Sequence, residues 1–140
     1  MRISARCDYA CKALLELSLH WPNKEPLQIH AISEKQDIPM KYLVQILIQL
    51  KRLGLVESTR GKQGGYILAR TPQRITLGEV MRRISGPLLP LSNSATKKDS
   101  VFAAIWREVE GAMAKVLDKV TFGDISNKAK GAKGVIVYQI

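Results

Sequence analysis

Residues 38–70 read IPMKYLVQILIQLKRLGLVESTRGKQGGYILAR, and this stretch decides the fold. Pro39 is favoured in the first turn of a helix. Behind it Leu43, Ile46, Leu47, Leu50 and Leu53 recur at three- and four-residue spacing, which is the apolar stripe of an amphipathic helix. Gly54 supplies the stop, because glycine takes the left-handed backbone of a helix C-terminus without strain. Leu55–Thr59 and Tyr66–Ala69 then favour strand. Between them lies the run Arg60, Gly61, Lys62, Gln63, Gly64, Gly65, so the spacing predicts a hairpin with a glycine-rich basic turn.

Upstream, Tyr9, Ala10, Ala13, Leu14 and Leu17 predict a first helix from Ala5 to His20 with Ser4 as its N-cap; Trp21, Pro22 and Asn23 end it. A short helix, Leu27 to Gln36, turns Ile29, Ala31 and Ile32 inward and stops before Pro39. Downstream, Thr76 with Glu79 three residues on has the form of a capping box, opening a helix to about Ile84. The breakers Gly86, Pro87 and Pro90 then mark a boundary. Beyond it Val101, Ile105, Val109, Met113, Val116 and Val120 keep a helical stripe from about Lys98 to Val120, widened by Phe102, Trp106 and Leu117. A helix of about 23 residues spans roughly 35 Å, too long for the preceding core to cover, and the least demanding partner for its apolar face is a second copy of the chain. Ser126–Gly134, rich in Lys, Ala and Gly, reads as a loose linker, and Val135–Tyr138 as a β-prone terminal segment. The expected division is therefore a winged helix-turn-helix over 1–86, a linker over 87–97, a dimerisation helix with a short terminal helix over 98–125, and a flexible tail over 126–140. The fold class is mostly α with one small β-hairpin.

The 140 residues are 46% apolar, enough for one globular core, and their 22 Lys and Arg against 12 Asp and Glu leave a net charge of +10. Residues 1–86 hold +7 of that excess, so the compact part faces the acidic partner. Lys12 and Glu16 interrupt the only signal-like run, and no stretch reaches the roughly 18 consecutive apolar residues of a membrane span. Two cysteines, Cys7 and Cys11, supply neither a disulfide framework nor a four-ligand zinc site, which fits a reducing cytoplasm. His20 and His30 stand apart from each other and from any carboxylate pair, so neither a catalytic constellation nor a metal site is expected.

On the third helix the face opposite the leucines carries Lys41, Gln45, Gln49 and Arg52, joined by Val44 and Ile48. Lys and Arg meet phosphate or guanine, Gln pairs with adenine, and an exposed aliphatic touches a thymine methyl. The same face would serve equally as a solvated surface. The hairpin tips the balance, because Arg60 and Lys62 stand in a loop whose three glycines let the backbone press close to a phosphate chain. Helix, short helix, tight turn, helix and basic hairpin make a winged helix-turn-helix with its third helix suited to the major groove of double-stranded DNA.

The runs Ile38–Gln45, Leu53–Gly61 and Gly64–Arg70 resemble the Rrf2 family of bacterial winged-helix transcription regulators. Met1–Ser4 with Tyr9 and Ala10, Ile75–Val80, Ile105–Glu108 and Thr121–Ile125 extend that resemblance over nearly the whole chain. It implies homodimers that cross through the long helix and set two recognition helices on a palindromic promoter site. Carried onto this sequence, it implies DNA contacts from Pro39, Met40 and Lys41 and from Arg60 and Gly61 of the wing. Tyr42 is either a phosphate contact or a packing residue, the second preferred. Several members carry a glutamate where this chain has Val44, which implies a different or looser operator preference.

Many relatives hold an iron–sulfur cluster on three cysteines between the fourth and the long helix. Residues 86–106 here contain neither cysteine nor histidine, and Ser100 and Ala103 fall about where the last cysteine and a histidine would stand. A thiolate-held cluster is therefore not expected, and no cofactor is. Asp8 matches a carboxylate ligand of some relatives and is read instead as a cap of the first helix. Cys7 and Cys11 remain as redox candidates, although at i and i+4 their β-carbons lie about 5–6 Å apart, longer than a disulfide prefers. The sequence thus points to a cytoplasmic, homodimeric, DNA-binding repressor. The alternatives are a regulator answering to a small-molecule effector or to thiol oxidation, and a winged-helix module that only mediates protein contacts.

Overall fold

The computed structural model describes residues 2–92 and 100–139, with side chains through residue 132. Among these residues the order is α1 (Ala5–His20), α2 (Ile29–Gln36), α3 (Met40–Arg52), β1 (Val56–Thr59), β2 (Gly65–Leu68), a 3-10 turn at Pro72–Arg74, α4 (Leu77–Ser85), α5 (Val101–Leu117) and α6 (Phe122–Gln139). Ser4 caps α1 as its sequence position suggests, its Oγ accepting from the Cys7 amide at 3.1 Å. Asp8 is not the cap: it lies one turn further in and pairs with Lys12 at 2.9 Å. Ala10, Ala13, Leu14 and Leu17 of α1 face Ile32 of α2 and Leu43, Ile46, Leu47 and Leu50 of α3 in one buried cluster. Burial stabilises each large aliphatic side chain by about 1.5–3 kcal/mol relative to exposure. Glu16 is buried with them and stays satisfied because Gln36 Nε2 donates to it at 2.8 Å, which ties α1 to α2.

Asp37, at φ 52, turns the chain between α2 and α3, and Gly54, at φ 75, ends α3. The hairpin is antiparallel with Val56 opposite Leu68 and Thr59 opposite Gly65. Leu27 joins it from outside, exchanging both backbone hydrogen bonds with Tyr66 at 3.0 and 2.8 Å. That bridge explains why α2 begins at Ile29 rather than Leu27. Thr76 caps α4 by accepting from the Glu79 amide, yet the capping box is only half made: the Glu79 carboxylate turns to Arg70 at 2.7 Å and Arg83 at 3.2 Å. This completes a winged helix-turn-helix.

α5 is shorter than its apolar stripe suggests. Ser100 caps it, and 17 residues extend for about 26 Å before Asp118 ends the helix. The expected start at Lys98 lies outside the described residues, as does part of the expected 87–97 linker. Val120 has left the helix, because its carbonyl accepts from Leu77 at 2.8 Å and Thr121 bridges Thr76. Arg82 clamps Asp118 through both carboxylate oxygens at 2.7 and 2.8 Å and holds that carboxyl below its ordinary range.

The expected linker and β-prone segment over 126–140 are replaced by helix through Gln139. Thr121 and Asp124 exchange a reciprocal capping pair at 3.0 and 3.1 Å, and Phe122 at the start of α6 and Ser126 one turn on are buried. Lys and Ala, which suggested a linker by composition, are good helix formers once a docked first turn has supplied the nucleus. Among the described residues no helix is long and apolar enough to cross a membrane.

Candidate nucleic-acid interface

Burying Leu43, Ile46, Leu47 and Leu50 turns the opposite face of α3 outward. Pro39, Met40, Lys41, Tyr42, Val44, Gln45, Ile48 and Arg52 are all exposed there, two of them basic and none acidic. Gln49 departs from the expected set. It is half-buried, and its Oε1 is buried without a hydrogen-bond partner, so its amide lies at the margin of this face. Helical spacing alone does not separate position 49 from the neighbouring exposed ridge; the packing of α3 on the core does.

The wing stands beside this face. Arg60, Gly61 and Lys62 are exposed at the hairpin tip, and none of Lys41, Arg52, Arg60 or Lys62 has an acidic partner among the ion pairs of the described residues. Gly61 takes φ 108, a conformation that side chains resist. Gln28 Nε2 donates to the Lys62 carbonyl at 3.2 Å, so the hairpin tip is tied to the entry of α2. Between them runs a groove of about 420 Å³, lined by Gln28, His30, Ser58, Arg60, Gly61 and Tyr66 among others. Gly65 makes the approach feasible, since a Cβ there would lie 2.3 Å from the Leu27 carbonyl oxygen. Gly65→Ala is therefore expected to force the wing away from Leu27, lowering stability by roughly 1–3 kcal/mol in chemical denaturation. An unchanged midpoint would mean that the Leu27–Tyr66 bridge does not hold the wing.

Arg6 and Tyr9, which the sequence does not mark as part of this surface, join it beside Tyr42. Tyr42 is 52% exposed and stacks on Tyr9, ring centroids 6.1 Å apart, while Lys41 Nζ lies 5.9 Å above the Tyr42 ring. Arg6, Tyr9, Tyr42, Gln45 and Ile46 line a cavity of about 480 Å³ between α1 and α3. Only the packing of α1 against α3 brings them together.

The residues expected to dimerise divide. Val101, Ile105, Val109 and Val116 are 75%, 42%, 40% and 63% exposed. Phe102 is exposed beside them and stacks on Trp106. Met113 instead turns inward against Cys7, Met81 and Leu88, and Val120 belongs to the connection after α5. Cys7 is buried and Cys11 half-buried, both as free thiols. Hydrogen bonding to Cys11, helped by Ser85, lowers the Cys7 thiol to about 6, while the same pairing and burial push Cys11 up.

The family model for Rrf2, described as an iron-dependent transcriptional regulator, matches residues 3–128. The regulator CymR of Bacillus subtilis is 28% identical over 140 residues, all of both chains. Its solved structure, titled the global cysteine regulator, superposes with a TM-score of 0.80 at 29% identity, covering 91% of this chain and 98% of that one. The structure of T. potens IscR superposes with a TM-score of 0.78 at 33% identity, covering 94% and 90%. An iron–sulfur cluster of the kind the resemblance implies does not fit the donor set. Residues 86–106 carry no thiol or imidazole, both cysteines stand on α1, and no group of three His, Cys, Asp or Glu side chains converges among the described residues.

Proposed function

The chain belongs to the Rrf2 family of transcriptional regulators, and from that premise we propose that it is a cytoplasmic, homodimeric repressor that reads a palindromic site in double-stranded DNA. It is a DNA-binding transcription regulator, not an enzyme, as its family and relatives are. The observation that carries the finer reading is the unpaired basic face shared by α3 and the wing. α3 enters the major groove with Lys41 and Gln45 toward base edges, Pro39 and Met40 at its leading end and Arg52 toward the backbone. Gln49 flanks them. Arg60 reaches the adjacent minor groove, with Gly61 and Lys62 at the phosphates. Gln28 supports the wing from behind through the Lys62 carbonyl. Val101, Ile105, Val109 and Val116 of α5 pair with the same face of a second copy, setting two recognition helices about one DNA turn, 34–36 Å, apart.

Selecting bound fragments from the native genome supplies the operator. On that operator Arg60→Ala is expected to cost about 1–3 kcal/mol, read as a rise in Kd by direct titration at fixed salt. Parent-like affinity in this variant would remove the wing from the interface.

A further inference from the structure

Both cysteines of the chain and two of its four methionines meet in one place. Cys7, Met81 and Leu88 form a buried cluster separate from the main core, and Cys11 and Met113 pack against it. Three helices supply the sulfurs: α1 gives Cys7 and Cys11, α4 gives Met81, and α5 gives Met113. A cavity of about 110 Å³, lined by Arg2, Cys7, Met81, Ser85 and Leu88 among others, reaches this cluster. None of these sulfurs belongs to the exposed face of α3 or to the wing.

We propose that this cluster is a binding site for a soft monovalent cation of the Cu(I) class, with Cys7 and Cys11 as thiolate ligands and the Met81 thioether as the third. The spacing of the cysteines favours a bridge by metal over a bond between them. Side chains at i and i+4 of a helix start from β-carbons about 5–6 Å apart, whereas a disulfide prefers about 3.8 Å. Metal–sulfur bonds of about 2.3 Å in a three-coordinate plane hold the two thiolates about 4 Å apart, with no need for the direct bond between sulfurs that a disulfide requires.

The donor set then selects the ion. Thiolate and thioether favour soft cations, and hard or borderline ions find no third His, Cys, Asp or Glu here among the described residues. On loading, two metal–thiolate bonds form at Cys7 and Cys11 and one metal–thioether bond at Met81, the two thiol protons pass to solvent and no electron is transferred. The resulting bis-thiolate unit carries one net negative charge; Arg2 lines the same cavity as Cys7, while the neighbouring Asp8 carboxylate opposes that charge. The site stands on α1, α4 and α5 and does not rest on the DNA-binding reading.

The test titrates reduced, full-length protein with Cu(I) under anaerobic conditions, in competition with a chromogenic Cu(I) chelator. One equivalent per chain is expected. Cys11→Ser, at a half-buried position, should weaken binding at least about 100-fold with the fold checked by far-UV circular dichroism, since losing a ligand exceeds the roughly 10–100-fold cost of losing an outer-shell partner. Met81→Leu conserves volume and keeps the fold, yet removes the thioether ligand; being neutral and the weakest of the three donors, it should cost less than a thiolate but still more than about tenfold. Parent-like affinity in either variant, or no uptake against the chelator, overturns the site. Binding by any accessible thiol pair would leave Met81→Leu unchanged and so counts against it. Operator binding of the cation-free protein, measured in parallel, is a separate matter: its loss would condemn the DNA reading and leave the sulfur site standing.

Discussion

Ile105→Asp is expected to convert the proposed homodimer to a monomer and to weaken operator binding by about 10²–10⁴-fold. Ile105 lies midway along an exposed apolar strip, with Val101 and Val109 one turn to either side and Phe102 adjoining. A carboxylate in the middle of such a strip loses its hydration on dimerisation among side chains that are themselves apolar. On α5 the nearest acids are Glu108 and Glu110, which repel it. Once the two copies separate, each half-site is bound alone and the effective-concentration gain from linking them, about 10²–10⁴, is lost. The fold itself should be spared, because Ile105 is already 42% exposed in the single chain and surface substitutions typically shift stability by within about 0.5 kcal/mol. Sedimentation equilibrium reads the mass, far-UV circular dichroism the fold, and operator titration the affinity. A variant that sediments as a dimer would place the interface elsewhere.

Local patterns were legible in the sequence wherever one element decided them. The stripe Leu43, Ile46, Leu47, Leu50 is buried as its spacing implies, Ser4 and Thr76 cap the helices they precede, and the glycine-rich run turns a hairpin. Periodicity shows which residues share a face and says nothing of what covers it. Met113 and Val120 share the stripe of Val101 and Ile105, yet one packs on Met81 and the other leaves the helix. The cause is the packing of α5 on Cys7 of α1 and Met81 of α4, contacts between residues far apart in sequence. Gln49 shares the spacing of the exposed ridge, yet the packing of α3 on the core leaves it half-buried. Arg6, Tyr9 and Gln28 were silent because each acquires its place only through a distant partner: Tyr42 for Tyr9, Gln45 across the shared cavity for Arg6, and the Lys62 carbonyl for Gln28. The wing was legible as charge and turn chemistry, but its anchoring to Leu27 was not, since an isolated bridge of one residue has no periodicity to read.

Phe122→Ala is expected to destabilise the protein by about 3–5 kcal/mol, lowering the thermal midpoint by roughly 10–20 °C. The sequence places Phe122 in a short helix, followed from Ser126 by a stretch that by composition resembles a tail, and assigns neither a part in the core. Phe122, however, is 1% exposed within the main cluster that holds Leu14, Leu43 and Leu47, and its amide donates to the Ile75 carbonyl at 2.9 Å. Removing the ring leaves a cavity bounded by elements that cannot all collapse. α6 lies against α1 and the 3-10 turn, and a Cβ at the next residue, Gly123, would already stand 2.9 Å from the Gln73 side chain. The loss reaches beyond α6 because α1 also carries the packing of α3, so operator affinity should fall as the unfolded fraction grows on heating. Lys128→Ala on the exposed side of the same helix removes charge without packing and should stay within about 0.5 kcal/mol of the parent. Equal midpoints for the two variants would return α6 to the status of a tail. A midpoint lowered in Phe122→Ala alone would make its first turn a fixed part of the core that orients the DNA-binding face.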